Sequence, residues 1–191
     1  MFFRAGLESD ELLLQRVRQG DLDAFDVLYE RHEARLFAYL RAMLHDRADA
    51  EEVLHDAFLA ALRDRSAAFD REGAFRAWLY RIARNHALNH RRSSGRRDRT
   101  LERYHGGEDD SARVSAPPDH ALEARQLEDA LAEAVGRLPA ALGELWHLRT
   151  SGLSYEQIAS VVDAPLGTVK SRMHQMVSVL REELKPWIAP E

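Results

Sequence analysis

Apolar residues recur along this chain at three- and four-residue intervals and nowhere alternate for long, a pattern that predicts helices and no strands. Asp21 stands at the N-cap position of a segment whose Phe25, Leu28, Leu36, Leu40 and Leu44 fall mostly on one stripe. A second helix is expected after Asp46–Asp49, with Val53, Leu54, Ala57, Phe58, Ala61 and Leu62 at i, i+3, i+4 spacing. The short loop Asp70-Arg71-Glu72-Gly73 then precedes a third helix, expected from Phe75 to Arg91, whose inward stripe reads Phe75, Leu79, Ile82 and His86. From Ser93 to Asp119 the periodicity dissolves into Ser93-Ser94-Gly95, Gly106-Gly107, Glu108-Asp109-Asp110 and Pro117-Pro118, the composition of a flexible linker. Helical spacing resumes near Ala121. The expectation is an all-α protein with small helical domains at 1–95 and 121–191, joined by a linker at 96–120. The second domain is near the lower limit for a self-sufficient core.

Local signals are sharpest near the C-terminus. Ser154 and Gln157 form a capping box at the start of a short helix with Ile158, Ala159 and Val162 inward. Asp163-Ala164 makes a turn, and Pro165 fits the first position of the next helix, where its missing N–H costs nothing. On that helix Val169, Met173, Met176, Val177, Leu180 and Leu184 gather on one side as core. Thr168, Ser171, Gln175 and Ser178 lie opposite, flanked by Lys170 and Arg172. An ordinary solvated face would show the same periodicity. The capped short helix and tight turn before it favour a helix-turn-helix whose polar face reads base edges and grips phosphates in a major groove.

On the third helix Trp78, Arg81, Asn85 and Asn89 share one sector bordering the apolar stripe, a surface suited to unstacked bases and backbone phosphates. Arg84, Arg91, Arg92, Arg96 and Arg97 extend the positive field. The bland alternative packs Trp78 in the core and leaves the arginines as solvated charge.

Charge distribution sharpens this picture. The formal net charge is −5. Residues 1–64 carry 8 basic and 14 acidic side chains, a balance of −6, whereas residues 71–104 carry 10 arginines against 3 acids, a balance of +7. Residues 105–135 return to −6, and residues 136–191 balance at zero. A basic block between acidic ones fits one surface that meets phosphate and others that face protein. Hydrophobic residues make up 45 % of the chain, yet no run approaches the roughly 20 apolar residues of a membrane span. No secretory leader is read at the N-terminus. Cysteine is absent, which excludes disulfides and thiolate metal sites and suits a reducing cytoplasm.

Two blocks carry a family resemblance. Asp49-Ala50-Glu51-Glu52-Val53, His55-Asp56-Ala57-Phe58 and Phe75-Arg76-Ala77-Trp78-Leu79-Tyr80-Arg81-Ile82-Ala83-Arg84-Asn85 resemble region two of extracytoplasmic-function sigma factors. Leu138-Pro139, Gly152-Leu153-Ser154-Tyr155-Glu156-Gln157-Ile158-Ala159 and Gly167-Thr168-Val169-Lys170-Ser171-Arg172 resemble their region four. The resemblance implies an alternative sigma subunit of the sigma-70 family that works with core RNA polymerase in a stress response and has no catalytic residue, metal, cofactor or small-molecule substrate. It implies polymerase docking through Asp49, Glu51, Glu52, His55 and Asp56. It implies minus-ten contacts from Trp78, Arg81, Arg84, Asn85 and Asn89, with a loop containing Asp70, Arg71 and Gly73 receiving a flipped base. Minus-thirty-five reading would fall to Thr168, Lys170, Ser171, Arg172, His174 and Gln175. An anti-sigma factor, often membrane-anchored, is the implied inhibitor, and would hold a cytoplasmic protein at the inner membrane face. The sequence departs from the family where Val162-Asp163-Ala164 stands in place of Leu-Gly, and where Gly143-Glu144 interrupts the preceding segment.

Other functions compete for some of these residues. Glu-x-x-His occurs at Glu52–His55, Glu102–His105 and Glu144–His147, the spacing of di-metal sites in helical bundles. These triplets are scattered over both domains and the linker, and so are poorly placed to converge. A stand-alone dimeric helix-turn-helix regulator would account for Thr168–Gln175 but leaves the arginine-rich helix unexplained.

Overall fold

The computed structural model of the protein describes residues 8–44, 46–64, 69, 73–98 and 121–188. Among these residues it holds helices and no strand: α1 (Asp10–Arg18), α2 (Leu22–Leu44), α3 (Arg47–Arg63), α4 (Ala74–Asp98), α5 (Ala121–Gly136), α6 (Ala140–Thr150), α7 (Tyr155–Val162), α8 (Leu166–Glu183) and α9 (Lys185–Ile188). Polar side chains start several of them. The Asp21 carboxylate accepts the Ala24 N–H at 3.2 Å, and Asp46 accepts that of Asp49 at 2.9 Å. Ser154 and Gln157 form the reciprocal box, Gln157 N–H to Ser154 Oγ at 3.2 Å and Ser154 N–H to Gln157 Oε1 at 2.7 Å. Each such cap satisfies helix-end donors that would otherwise lack partners.

The first four helices pack around Leu28, Leu36, Leu40, Val53, Leu54, Phe58, Phe75 and Leu79, all buried. Each fully buried side chain of this size contributes roughly 1.5–3 kcal/mol. The C-terminal group closes around Leu142, Leu145, Leu148, Ile158, Val169, Met173 and Met176. The two groups also press on each other: α4 packs against α7, and α2 against α6. Tyr39 of α2 and Tyr80 of α4 lie between them, fully buried, with ring centroids 5.4 Å apart.

Several sequence expectations change. α1, capped by Ser9 accepting from Leu12 N–H, was not anticipated. The third helix extends past Arg91 to Asp98, so the first residues assigned to the linker are helical; residues 99–120 lie outside the described residues. Its buried face centres on Tyr80, Ala83 and Ala87, leaving Ile82 and His86 half-buried. The small alanines let neighbouring helices approach on that side, which shifts the contact stripe away from the bulkier residues. Pro165 is the N-cap of α8 instead of its first residue, with extended ψ of 141°. Gly143-Glu144 sits inside an unbroken α6. On α8, Val177 is 44 % exposed and Leu184 half-buried, because both lie toward one margin of the stripe centred on Val169, Met173, Met176 and Leu180. On α7 the deeply buried partner of Ile158 is Val161, while Ala159 and Val162 are half-buried.

Candidate nucleic-acid interface

The apolar face of α4 locks its rotation about its own axis, and this fixes what the opposite side presents. Arg81, Asn85 and Asn89 are all exposed in one sector, followed by exposed Arg91 and Arg92. Trp78 is half-buried, its ring against Phe69 at 5.4 Å and Phe75 at 6.1 Å between centroids. It therefore serves as a wall of the core with one edge at the rim. Arg84 is half-buried and turned toward the C-terminal group, where its Nε donates to Glu144 Oε1 at 2.7 Å. That hydrogen bond raises its pKa further, against the opposing effect of burial. Gly73 sits in the turn before α4 with φ of +77°, a conformation glycine adopts freely. Asp70 and Arg71 lie outside the described residues.

The second face belongs to α7 and α8. Asp163 ends α7 in the left-handed region, φ 53° and ψ 55°, and so turns the chain into α8 within three residues. Lys170, Ser171, Arg172, His174 and Gln175 are exposed on the first turns of α8, and Thr168 is half-buried. The opposite side of the same turns is anchored by Val169, Met173 and Met176. A rigidly held helix with exposed cations, amide and hydroxyl is what groove docking requires.

The third surface is on α3. Glu52, His55 and Asp56 are exposed, with Leu59 beside them at 45 % exposure, while Asp49 and Glu51 are half-buried. Glu51 accepts from Arg47 Nε at 2.9 Å, and His90 of α4 lies 3.6 Å from Asp49. An acidic stripe around one apolar side chain suits a basic protein surface. Among the described residues no group of three His, Asp or Glu gathers as a metal site. Glu52 and His55 face solvent on α3, and Glu144 is engaged by Arg84; Glu102 and His105 lie outside the described residues.

Several long-range contacts were missed at the level of sequence, three of them around the start of α4. Glu11 of α1 accepts the Phe75 N–H at 3.1 Å, capping α4 from another helix. Gln157 Nε2 donates to Gly73 O at 2.8 Å, and Arg76 Nη1 to Gly152 O at 3.4 Å. None leaves a periodic trace, because each joins distant segments.

Comparisons with known proteins identify the family and the fold. Residues 28–97 match the family described as Sigma-70 region 2. The chain is 35 % identical over 185 residues to the RNA polymerase sigma-H factor of Pseudomonas aeruginosa, covering 94 % of this chain and 95 % of that one. It is 31 % identical over 188 residues to the ECF RNA polymerase sigma-E factor of Escherichia coli K12, covering 94 % and 96 %. The sigma factor RpoE, solved in complex with the anti-sigma factor NepR from Bartonella quintana, is similar with a TM-score of 0.60 at 26 % identity over 85 % of this chain and 97 % of that chain. CnrH, solved with the cytosolic domain of CnrY, shares the fold with a TM-score of 0.64 at 24 % identity, covering 93 % and 98 %.

Proposed function

Because the chain belongs to the extracytoplasmic-function RNA polymerase sigma factors of the sigma-70 family, we propose that its three exposed faces divide the work of promoter-specific initiation. Sigma factors of this kind bind core RNA polymerase and direct where transcription starts. In this reading α3 docks on the polymerase through Asp49, Glu51, Glu52, His55 and Asp56. The exposed sector of α4 takes the minus-ten element, with Arg81, Asn85 and Asn89 facing the strand and Trp78 offering its edge at the rim of the core. The segment Asp70, Arg71 and Gly73 is proposed to receive an extruded base, whose capture offsets the few kcal/mol of unpairing. Thr168, Lys170, Ser171, Arg172, His174 and Gln175 read the minus-thirty-five element in intact duplex, where each good base contact is worth about 1–3 kcal/mol. Two weak modules carried by one polymerase gain from effective concentration.

What carries the reading is the pairing of two exposed polar faces, on α4 and α8, each backed by a buried apolar stripe of its own helix. RpoE was solved in complex with the anti-sigma factor NepR, and this chain is proposed to be held inactive by a partner of that kind. Among the described residues no helix is long and apolar enough to cross a membrane. The proposal places the protein in the bacterial cytoplasm, with any membrane tether supplied by that partner.

Run-off transcription with purified core polymerase, on the promoter upstream of the protein's own operon, tests this directly. The wild type should direct a discrete transcript, and Asn85→Ala should lower open-complex yield, read by permanganate reactivity, more than initial duplex docking. No association with core polymerase, or equal open-complex yield for the variant, contradicts the assignment.

A further inference from the structure

At the seam between the two domains one carboxylate serves two donors. Glu144 Oε1, on α6, accepts from Arg84 Nε of α4 at 2.7 Å and from the Tyr39 hydroxyl of α2 at 3.0 Å; Arg84 Nη2 reaches Oε2 at 3.4 Å. The Arg84 and Glu144 side chains are 20 % and 19 % exposed, against 68 % and 46 % for the Arg47–Glu51 pair on α3. Water screens the seam pair far less, so it is the stronger of the two. Burial pushes the Tyr39 phenol well above its ordinary range, and the adjoining Glu144 charge pushes it the same way, so the hydroxyl stays a donor. Asp163, at the end of α7, adds negative field around Arg84. Two donors from the first domain thus converge on an oxygen that the second domain supplies.

We propose that Arg84 and Tyr39 form a seat for a DNA backbone phosphate, and that Glu144 occupies it while the two domains are closed on each other. The proposal rests on the reading of α4 as the DNA-facing helix. A guanidinium takes carboxylate and phosphate oxygens with the same fork geometry, and a phenol hydroxyl is an ordinary phosphate donor. Arg84 lies about 60° around α4 from Arg81 and about 100° from Asn85, at the edge of the sector assigned to the strand. A strand whose bases meet Asn85 therefore brings its backbone within reach of the seat once Glu144 has left. Two anions compete for one site. Strand capture and domain separation are in consequence linked, and DNA shifts the balance only by its preference for the open form.

Fluorescence anisotropy with a short mixed-sequence single-stranded DNA tests the seat. Glu144→Gln, nearly isosteric and still able to accept from Tyr39, should bind about tenfold tighter than the wild type, a change of about 1.4 kcal/mol. Its plot of log affinity against log salt should steepen by about 0.7, the increment for one more neutralised phosphate on a single strand. Adding Arg84→Gln or Tyr39→Phe should remove the gain. Glu128→Gln, which deletes the same charge from an exposed position on α5, should bind like the wild type. Thermal melting verifies that each variant folds, and Glu144→Ala replaces Glu144→Gln should the latter melt early. No gain on removing Glu144, or a gain that survives loss of Arg84, overturns the seat. Wild-type run-off transcription measured in parallel separates the two failures: normal initiation without a gain sinks the seat alone.

Discussion

Asp163 holds a backbone conformation that costs a residue with a Cβ about 1–2 kcal/mol. It stands where the family resemblance expects Leu-Gly, and its left-handed φ explains how the turn forms without the glycine. Aspartate tolerates that region better than most residues, which is why the tight connection between α7 and α8 survives the departure. Asp163→Gly should therefore stabilise the protein by about 0.5–1 kcal/mol, since relief of the strain outweighs the extra freedom of glycine in the unfolded chain. Urea denaturation reads this as a higher midpoint at unchanged slope; a midpoint that falls contradicts the strain argument. At this scale the sequence was legible wherever a side chain acts on its own backbone. The Ser154–Gln157 box and the Asp163-Ala164 turn are of that kind. Val177 was misassigned because it lies about 100° around α8 from Met176, at the margin of the apolar stripe, where helical angle alone does not decide burial.

Between elements, α1 shows how much a single turn of polar residues can organise. Buried Asp10 accepts from Arg31 Nη1 at 2.6 Å and pairs with His32 Nε2 at 2.8 Å, pinning α1 to α2, while the next residue, Glu11, caps α4. Burial raises the pKa of Asp10, but hydrogen bonds and charge from His32 and Arg31 outweigh it and hold the group below its ordinary 3.8. A carboxyl with a depressed folded-state pKa contributes stability that is fully present above its unfolded value. The contribution is lost as pH falls through the folded value. The thermal midpoint of the wild type should accordingly drop more steeply below pH 3.8 than that of Asp10→Asn, and parallel acid limbs contradict it. α1 escaped the sequence reading because Leu12-Leu13-Leu14 is a run without helical spacing. Its usable signal was Ser9 followed by two acids in the first turn.

Across the whole molecule, periodicity recovered the all-α class and most helices but not the closure of one domain on the other. Tyr39 and Glu144 are 105 residues apart, Gly73 and Gln157 are 84, and Arg84 and Glu144 are 60. Such pairings follow from the shapes of two finished surfaces, and each partner viewed alone reads as an ordinary polar residue on a helix. Gln157 is the instructive case. The oxygen of its amide fastens the start of α7, and the nitrogen of the same amide fastens α7 to the turn before α4. Exchange of that nitrogen for oxygen separates the two jobs. Gln157→Glu keeps an acceptor for the Ser154 N–H but sets an anion against the Gly73 carbonyl. Helicity should hold while the radius of gyration from small-angle scattering grows, and an unchanged radius would contradict this. On the proposed function, a fastening made by one nitrogen of one amide would let the halves come apart for a promoter while the cap that starts α7 stays in place, so that each half would arrive already folded.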